Sequence, residues 1–352
     1  MQFWLHSIRY LLAFIPALAV WTSFIGEELW SFSGIALIFI VLPLLEYQLG
    51  TSQSLSAETP EEAKKFDWVI LSTLPVYIGM MGYFFHDVST SVMSDTTLIG
   101  RTLSAGLLCG VYAINVSHEL GHRNNKLHQV LAQILLASSF YSHFFIEHNR
   151  GHHKHVATPE DPSSGRINEP VYLFWLRSMS QTWLTAWKIE NQRLKKEGLP
   201  AFHWKNLMLR LQILQWLLLA NTFFWFGPLA GVCHLAAGII GALLLETINY
   251  IEHYGLVRNR LPSGNYEPVK PQHSWNSDHI LGRYILFELC RHSDHHYRAS
   301  KPFPLLASQE EGPQMPLGYP GMMVVSLFPP LWFHWMNPKA MAINARNSIQ
   351  YP

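Results

Sequence analysis

The chain is poor in charge. Only 14% of its 352 residues are Asp, Glu, Lys or Arg, against about 25% in an ordinary soluble domain. With 49% hydrophobic residues, that deficit points to a membrane protein. The net charge of +1 shows no excess of either sign. Charge therefore selects no partner and gives no ground for a nucleic acid. Cysteine is scarce too. Cys109, Cys233 and Cys290 are far apart and form no C-x-x-C pair, which excludes a thiolate metal knuckle and a disulfide framework. No small-residue cleavage site follows the first apolar segment, so that segment reads as retained. There is no internal repeat, low-complexity tract or second domain, and 1–352 reads as one integral-membrane domain.

What the chain has is long apolar runs. Uncharged or nearly uncharged stretches place spans at about 8–26, 29–48, 68–86 and 98–117, close to the ~20 residues a helix needs to cross ~30 Å of hydrocarbon. A further 35 residues, 211–245, carry no charge. Extended slightly, this run fits two spans, 206–226 and 229–250, turned at Gly227-Pro228. The predicted fold is all-α, with six transmembrane helices. Of 25 basic residues, 21 lie in 118–210 or after His253. By the positive-inside rule both regions, 118–205 and 253–352, form a helical, histidine-rich cytoplasmic cap on a multi-pass inner-membrane protein. The apolar segment 127–146 is predicted to pack on the cytoplasmic side or to dip in and return. If it crossed, the histidines before and after it would face opposite sides. Tryptophans mixed with cations in 171–194, and Pro329-Pro330 within 319–335, suit interfacial helices.

Four histidine-bearing stretches sit near the predicted inner ends of these spans. They are His118-Glu-Leu-Gly-His122, Glu147-His-Asn-Arg-Gly-His-His153, Asn249-Tyr-Ile-Glu-His253 and Arg291-His-Ser-Asp-His-His296, with nine of nineteen histidines. The i, i+4 spacing of His118 and His122 puts both rings on one helical face. His148 and His152 repeat that spacing beside His153, and His292, His295 and His296 again give neighbours on one face. His253 stands alone at the end of a span. Standing alone, His118 and His122 would read as polar surface residues and His253 as a structural histidine; a zinc site at any single stretch is the lesser alternative once all four are taken together. Nine ligands exceed the four to six that one ion takes, so the count argues for two metals. Ligand number and the apolar setting favour a redox metal over zinc, since nine nitrogens on two six-coordinate ions leave open positions where O₂ could bind. Apolar helices converging on such a site suit a hydrocarbon. No Glu-x-x-His is present, so the site is expected to be histidine-dominated, without a required carboxylate bridge. Glu119, Glu147, Glu252 and Asp294 adjoin the rings and are placed to accept an N–H from another ligand's ring.

At these residues the sequence resembles the membrane alkane 1-monooxygenase family. The similarity is carried by His118–Arg123, Phe144–Pro162, Asn249–Leu256, His273–Asn276 and Arg291–His296, within about 43–338. Arg123 stands where lysine is common, and Tyr297 where alanine is. The resemblance implies that His118, His122, His148, His152, His153, His253, His292, His295 and His296 hold two iron ions, with His273 among the surrounding groups. It implies O₂-dependent terminal hydroxylation of n-alkanes to primary alcohols. The implied electron source is rubredoxin, served by rubredoxin reductase. A rubredoxin site needs four cysteine thiolates, so the donor must be a separate chain. Lys126, Arg150, Lys154, Arg258 and Arg298, with Lys195, Lys196 and Lys301, are candidates for docking an acidic donor. Alternatives are a hydroxylase of methyl groups on aromatic rings, a histidine-box acyl desaturase, and a metal transporter or sensor. The last is disfavoured because the histidines gather at one membrane face.

Overall fold

The structure, a computed structural model, describes residues 8–349. It is helical throughout, and among the described residues β pairing is limited to isolated bridges. Twelve helices matter here. They are α1 (Tyr10–Ile25), α2 (Glu28–Leu49), α3 (Pro60–Thr90), α4 (Asp95–Gly121), α5 (Lys126–Ser138), α6 (144–155), α7 (Val171–Lys196), α8 (Leu207–His253), α9 (Ile280–Ile285), α10 (His292–Tyr297), α11 (Tyr319–Ser326) and α12 (Pro329–Ile349). Four of them, α2, α3, α4 and α8, are long and apolar enough to cross a membrane, while α1 is apolar but shorter. Several helix starts are set by short polar side chains that cap free N–H groups. Ser94 accepts from Thr97 N, Asn125 from Leu127 N and Asn206 from Leu209 N.

The 47-residue α8 is not one rod. Gly227 takes φ 83°, ψ 174° and Pro228 follows, a conformation open to glycine and closed to most other residues. The chain reverses there. Thr222 Oγ1 lies 2.9 Å from His234 Nδ1, whereas twelve residues of straight helix would hold them about 18 Å apart. The turn expected at Gly227-Pro228 thus makes a helical hairpin.

The returning limb of α8 packs on α4 through small residues. A Cβ on Gly241 would sit 2.6 Å from the Cys109 Cβ, and one on Gly106 would sit 2.4 Å from Ile240. Small residues let apolar helices approach where no water drives them together. This contact puts His118 and His253 at the same end of the bundle. At the opposite end Arg101 donates to Gly26 O at 3.0 Å and pairs with Asp87, joining the ends of α1, α3 and α4.

The segment after His122 dips in and returns. Ser138, the last residue of α5, reaches His234 Nε2 through its carbonyl at 2.8 Å and Tyr77 Oη at 2.9 Å. Phe140 turns at φ 56°, and α6 runs back to the histidines. Helix α7 buries Val171, Phe174, Ser178, Thr182, Ala186, Glu190 and Leu194, a three- or four-residue spacing that makes one face a packing stripe. The stretch 319–335 is two helices, broken before Pro329-Pro330.

Candidate metal centre

The nine imidazoles meet where α4, α6, α8 and α10 converge, and they divide into two groups. His118, His122, His148, His153 and His295 form one; His152, His253, His292 and His296 form the other. Within each group, one ring nitrogen per residue lies within 4.8 Å of all the others. In the first group Nε2 of His148 lies 3.1 Å from that of His122 and 3.0 Å from that of His153, which is 3.3 Å from His122 and 3.2 Å from His295. In the second, Nε2 of His292 lies 3.0 Å from that of His253 and 2.9 Å from that of His296, which is 3.2 Å from His152. Two donors at right angles on one ion, each bonded at about 2.1 Å, are about 3.0 Å apart. Hydrogen bonding cannot satisfy the triangle of His122, His148 and His153. A neutral imidazole nitrogen is a donor or an acceptor, never both. His118 Nε2 is buried with no partner. A cation at each focus resolves all of this, so the donor set fits two metal ions.

Helix geometry explains the division. On α4, the i, i+4 pair His118 and His122 shares one focus, as the spacing predicts. On α10, His292 and His296 share the second, and His295 turns to the first. On α6 the expectation from i, i+4 spacing does not hold. Residues 148–152 form a π turn, whose wider coil stacks residues five apart. His148 therefore shares its focus with His153, and His152 faces the other.

Burial holds six of these rings neutral. His122 is pushed down to about 3 by desolvation and then by His152. His148, His153, His292, His295 and His296 are driven well below the usual imidazole range by desolvation and then by neighbouring rings. Their lone pairs are free for metal at neutral pH.

The groups behind the rings differ in part from expectation. Glu252 Oε2 lies 3.1 Å from His292 Nε2, and Tyr319 Oη donates to Glu252 Oε1 at 2.7 Å. His273 meets His253 Nδ1 through its carbonyl at 3.4 Å, while its own Nδ1 accepts from Lys270 N. Glu119 pairs with Arg123 at 2.6 Å and accepts from Phe303 N. Asp294 binds Lys301, Ala307 N and Gln309, anchoring the loop after α10. Neither faces a ligand ring. Glu147 Oε1 is buried without a partner; desolvation, then Asp161 and Glu246, raise its carboxyl well above the usual range.

The carboxylate that does orient a ligand through Nδ1 is Asp161, which the sequence reading missed. Its Oδ2 lies 2.9 Å from His152 Nδ1 and accepts from Ser164 Oγ at 2.6 Å, and Ser163 N donates to Oδ1. Burial alone would raise Asp161, but His152 and Ser164 hold it below its ordinary value. Attention to carboxylates adjacent to histidines passed it over, since it lies nine residues after its partner. Its place before Pro162, inside the matching stretch, was the available signal.

An apolar cavity of about 410 Å³ lies between α2, α4 and the returning limb of α8, with Trp175 and Leu327 at its side. A narrower cavity of about 50 Å³ shares Phe39, Leu107, Leu244 and Met323 with it and extends to Asn115 and Ile248, one helical turn or so from His118 and His253. Tyr319 lines it as well.

Of the cations considered for docking, Lys126, Lys154 and Arg298 are exposed. Arg150 is half-exposed and paired with buried Glu190 at 2.6 Å. Arg258 spends its donors on the carbonyls of Glu267 and Lys154, so it braces the loops behind the site.

A helical membrane-type bundle with paired histidine foci defines a class, and comparison agrees: residues 97–326 match the fatty acid desaturase family model. Two relatives from Pseudomonas aeruginosa, alkane 1-monooxygenase 2 and alkane 1-monooxygenase 1, are each 39% identical, over 327 and 330 residues. Each alignment covers 91% of this chain and 87% or 86% of the relative. The hydroxylase component of a xylene/toluene monooxygenase from Pseudomonas putida is 30% identical over 265 residues, 74% of this chain and 70% of its own. The chain belongs to the alkane 1-monooxygenase family of oxidoreductases.

Proposed function

We propose that the protein hydroxylates the terminal methyl of n-alkanes, using O₂ and electrons from rubredoxin at a di-iron centre. The observation that carries this reading is the pair of histidine foci, five and four rings, with an apolar cavity, suited to a hydrocarbon, that reaches Asn115 and Ile248, three and five residues before His118 and His253. Nine imidazole nitrogens at two foci favour a redox metal with open positions over closed tetrahedral zinc. Bound iron supplies O₂ activation. The chain's own part is to orient and exclude. His118, His122, His148, His153 and His295 hold one ion, and His152, His253, His292 and His296 the other. Asp161 fixes the tautomer of His152 through Nδ1, whereas Glu252, held by Tyr319, lies against Nε2 of His292, the nitrogen that faces the second focus. The cavity walls guide the chain end-on and keep bulk water from the reacting methyl.

In this reading the protein is one integral-membrane domain of six spans, with α1 and the two limbs of α8 completing the set begun by α2, α3 and α4. The histidines then face the cytoplasm across the inner membrane. An acidic rubredoxin, reduced by its reductase, approaches there along Lys126, Arg150, Lys154 and Arg298.

The test is incubation of iron-loaded membranes with rubredoxin, rubredoxin reductase, NADH and alkanes of graded length under ¹⁸O₂. A primary alcohol carrying the label supports the reading. An unlabelled alkene from an acyl substrate would instead assign desaturation. The similarity to the xylene/toluene monooxygenase component favours one second reading, hydroxylation of ring methyl groups, and xylene as competing substrate decides it.

A further inference from the structure

Glu246 is a carboxyl in the returning limb of α8, fully buried, among the apolar helices. Carboxyls inside membrane helices are costly and mark function. Asp87, paired with Arg101 at the far end of the bundle, shows what a structural carboxylate gets: a cation. Glu246 has none among the described residues. Its Oε1 accepts from Tyr141 Oη and, at 3.3 Å, from Asn249 Nδ2. Its Oε2 and the nearby Ser178 hydroxyl are buried without an aligned partner.

The two sides of this residue differ. Outward, Tyr141 and His143 line a surface pocket of about 500 Å³ between the turn after α5 and α7, with Ser180 and Trp183 at its rim. The two rings lie 4.4 Å apart, and His143 Nε2 is 3.3 Å from Thr182 Oγ1. Inward, Glu246 and His253 lie seven residues apart on one helix, on the same face and about 10.5 Å along its axis, with Asn249 between them donating to Glu246 Oε1. A buried carboxyl oxygen and a buried hydroxyl nearby, neither with an aligned partner, mark a place for water or a proton.

We propose that Glu246 carries protons from the Tyr141–His143 pocket toward the metal centre. The inference rests on the hydroxylation reading, because that reaction consumes protons. Alkane, O₂, two electrons and two protons become alcohol and water; rubredoxin supplies the electrons and bulk solvent the protons. A proton enters at the pocket, is held on the Glu246 carboxyl and leaves toward the oxygen being reduced to water. Glu246 lies seven residues from the nearest ligand, so it acts through this path and not on the metal.

The test compares iron-loaded wild type with Glu246→Gln, Glu246→Asp and Tyr141→Phe. Gln keeps the acceptor for Tyr141 and Asn249 but cannot carry a proton. Glu246→Gln should keep full iron and the wild-type KM for octane. Its kcat should fall about 10²-fold with a larger solvent deuterium effect, and the consumed O₂ should leave as hydrogen peroxide. Glu246→Asp should recover much of the loss, and Tyr141→Phe should slow turnover without changing KM. Without turnover, the carboxyl infrared band that Glu246→Gln removes should shift on transfer to D₂O, more slowly in Tyr141→Phe. Wild-type kcat and isotope effect in Glu246→Gln, or a band that never exchanges, would overturn the proposal. Failure of the hydroxylation reading shows separately, as absence of alcohol from the wild type.

Discussion

At the scale of single residues, the orienting groups behind the rings carry the finest information. Asp161→Asn keeps the shape of the side chain but removes the charge that His152 Nδ1–H faces at 2.9 Å. Affinity at the four-histidine focus should fall about 10–100-fold, read by titrating metal-free protein with Fe²⁺ in a competing chelator. An unchanged affinity would show that Asp161 merely fills space. Ligand removal should be asymmetric as well. His253→Ala leaves three rings at its focus, and His118→Ala leaves four. Elemental analysis should therefore find more iron lost from His253→Ala, with one focus still filled. The identities of the nine rings were legible in the sequence, because few residue types bind such metals and here they cluster. Their partition was not. It depends on a π turn at 148–152 that nothing in the alternation of apolar and polar residues announces.

At the scale of helices, much was readable because membrane crossing demands length and apolarity together. The turn at Gly227-Pro228 followed from backbone chemistry. That the segment 127–146 ends on the side where it starts followed from requiring the histidine stretches before and after it to share a metal, and Nε2 of His122 and of His148 lie 3.1 Å apart. What could not be read was the contact that aligns α4 with α8. Gly106 and Gly241 look like ordinary small residues until Cys109 and Ile240 are seen against them. Gly241→Val should force these helices apart at a cost of about 1–3 kcal/mol, visible as a lower Tm in detergent. Because α4 ends in His118 and His122 and α8 in His253, the same variant should lose iron with no ligand changed. Wild-type iron in a destabilised Gly241→Val would mean that the histidine end is held independently, by the loops that bind Ser52 and Ser54 through Arg283 and Arg291.

For the molecule as a whole, the buried imidazoles make folding and metal binding depend on pH in the same direction. In the unfolded chain each ring titrates near 6.5. In the metal-free fold His122 does so only at about 3, and five others lie well below their usual range. Between those limits the unfolded chain binds protons that the folded chain refuses, so stability must rise with pH through this window. Metal-free protein should therefore be most stable above about pH 6.5 and lose Tm progressively as the pH falls toward the folded-state values. Carboxylates such as Asp161, held low by His152, add to the loss only at stronger acid. Bound iron uses the same nitrogens that protons would take, so acid also expels the metal. The gap in Tm between iron-loaded and metal-free protein should close on the acid side. Thermal scans in detergent from pH 5 to 8, with and without iron, check both trends. A metal-free Tm that climbs toward acid would mean the rings are charged in the fold, and nine charged imidazoles at two foci could not hold metal at all.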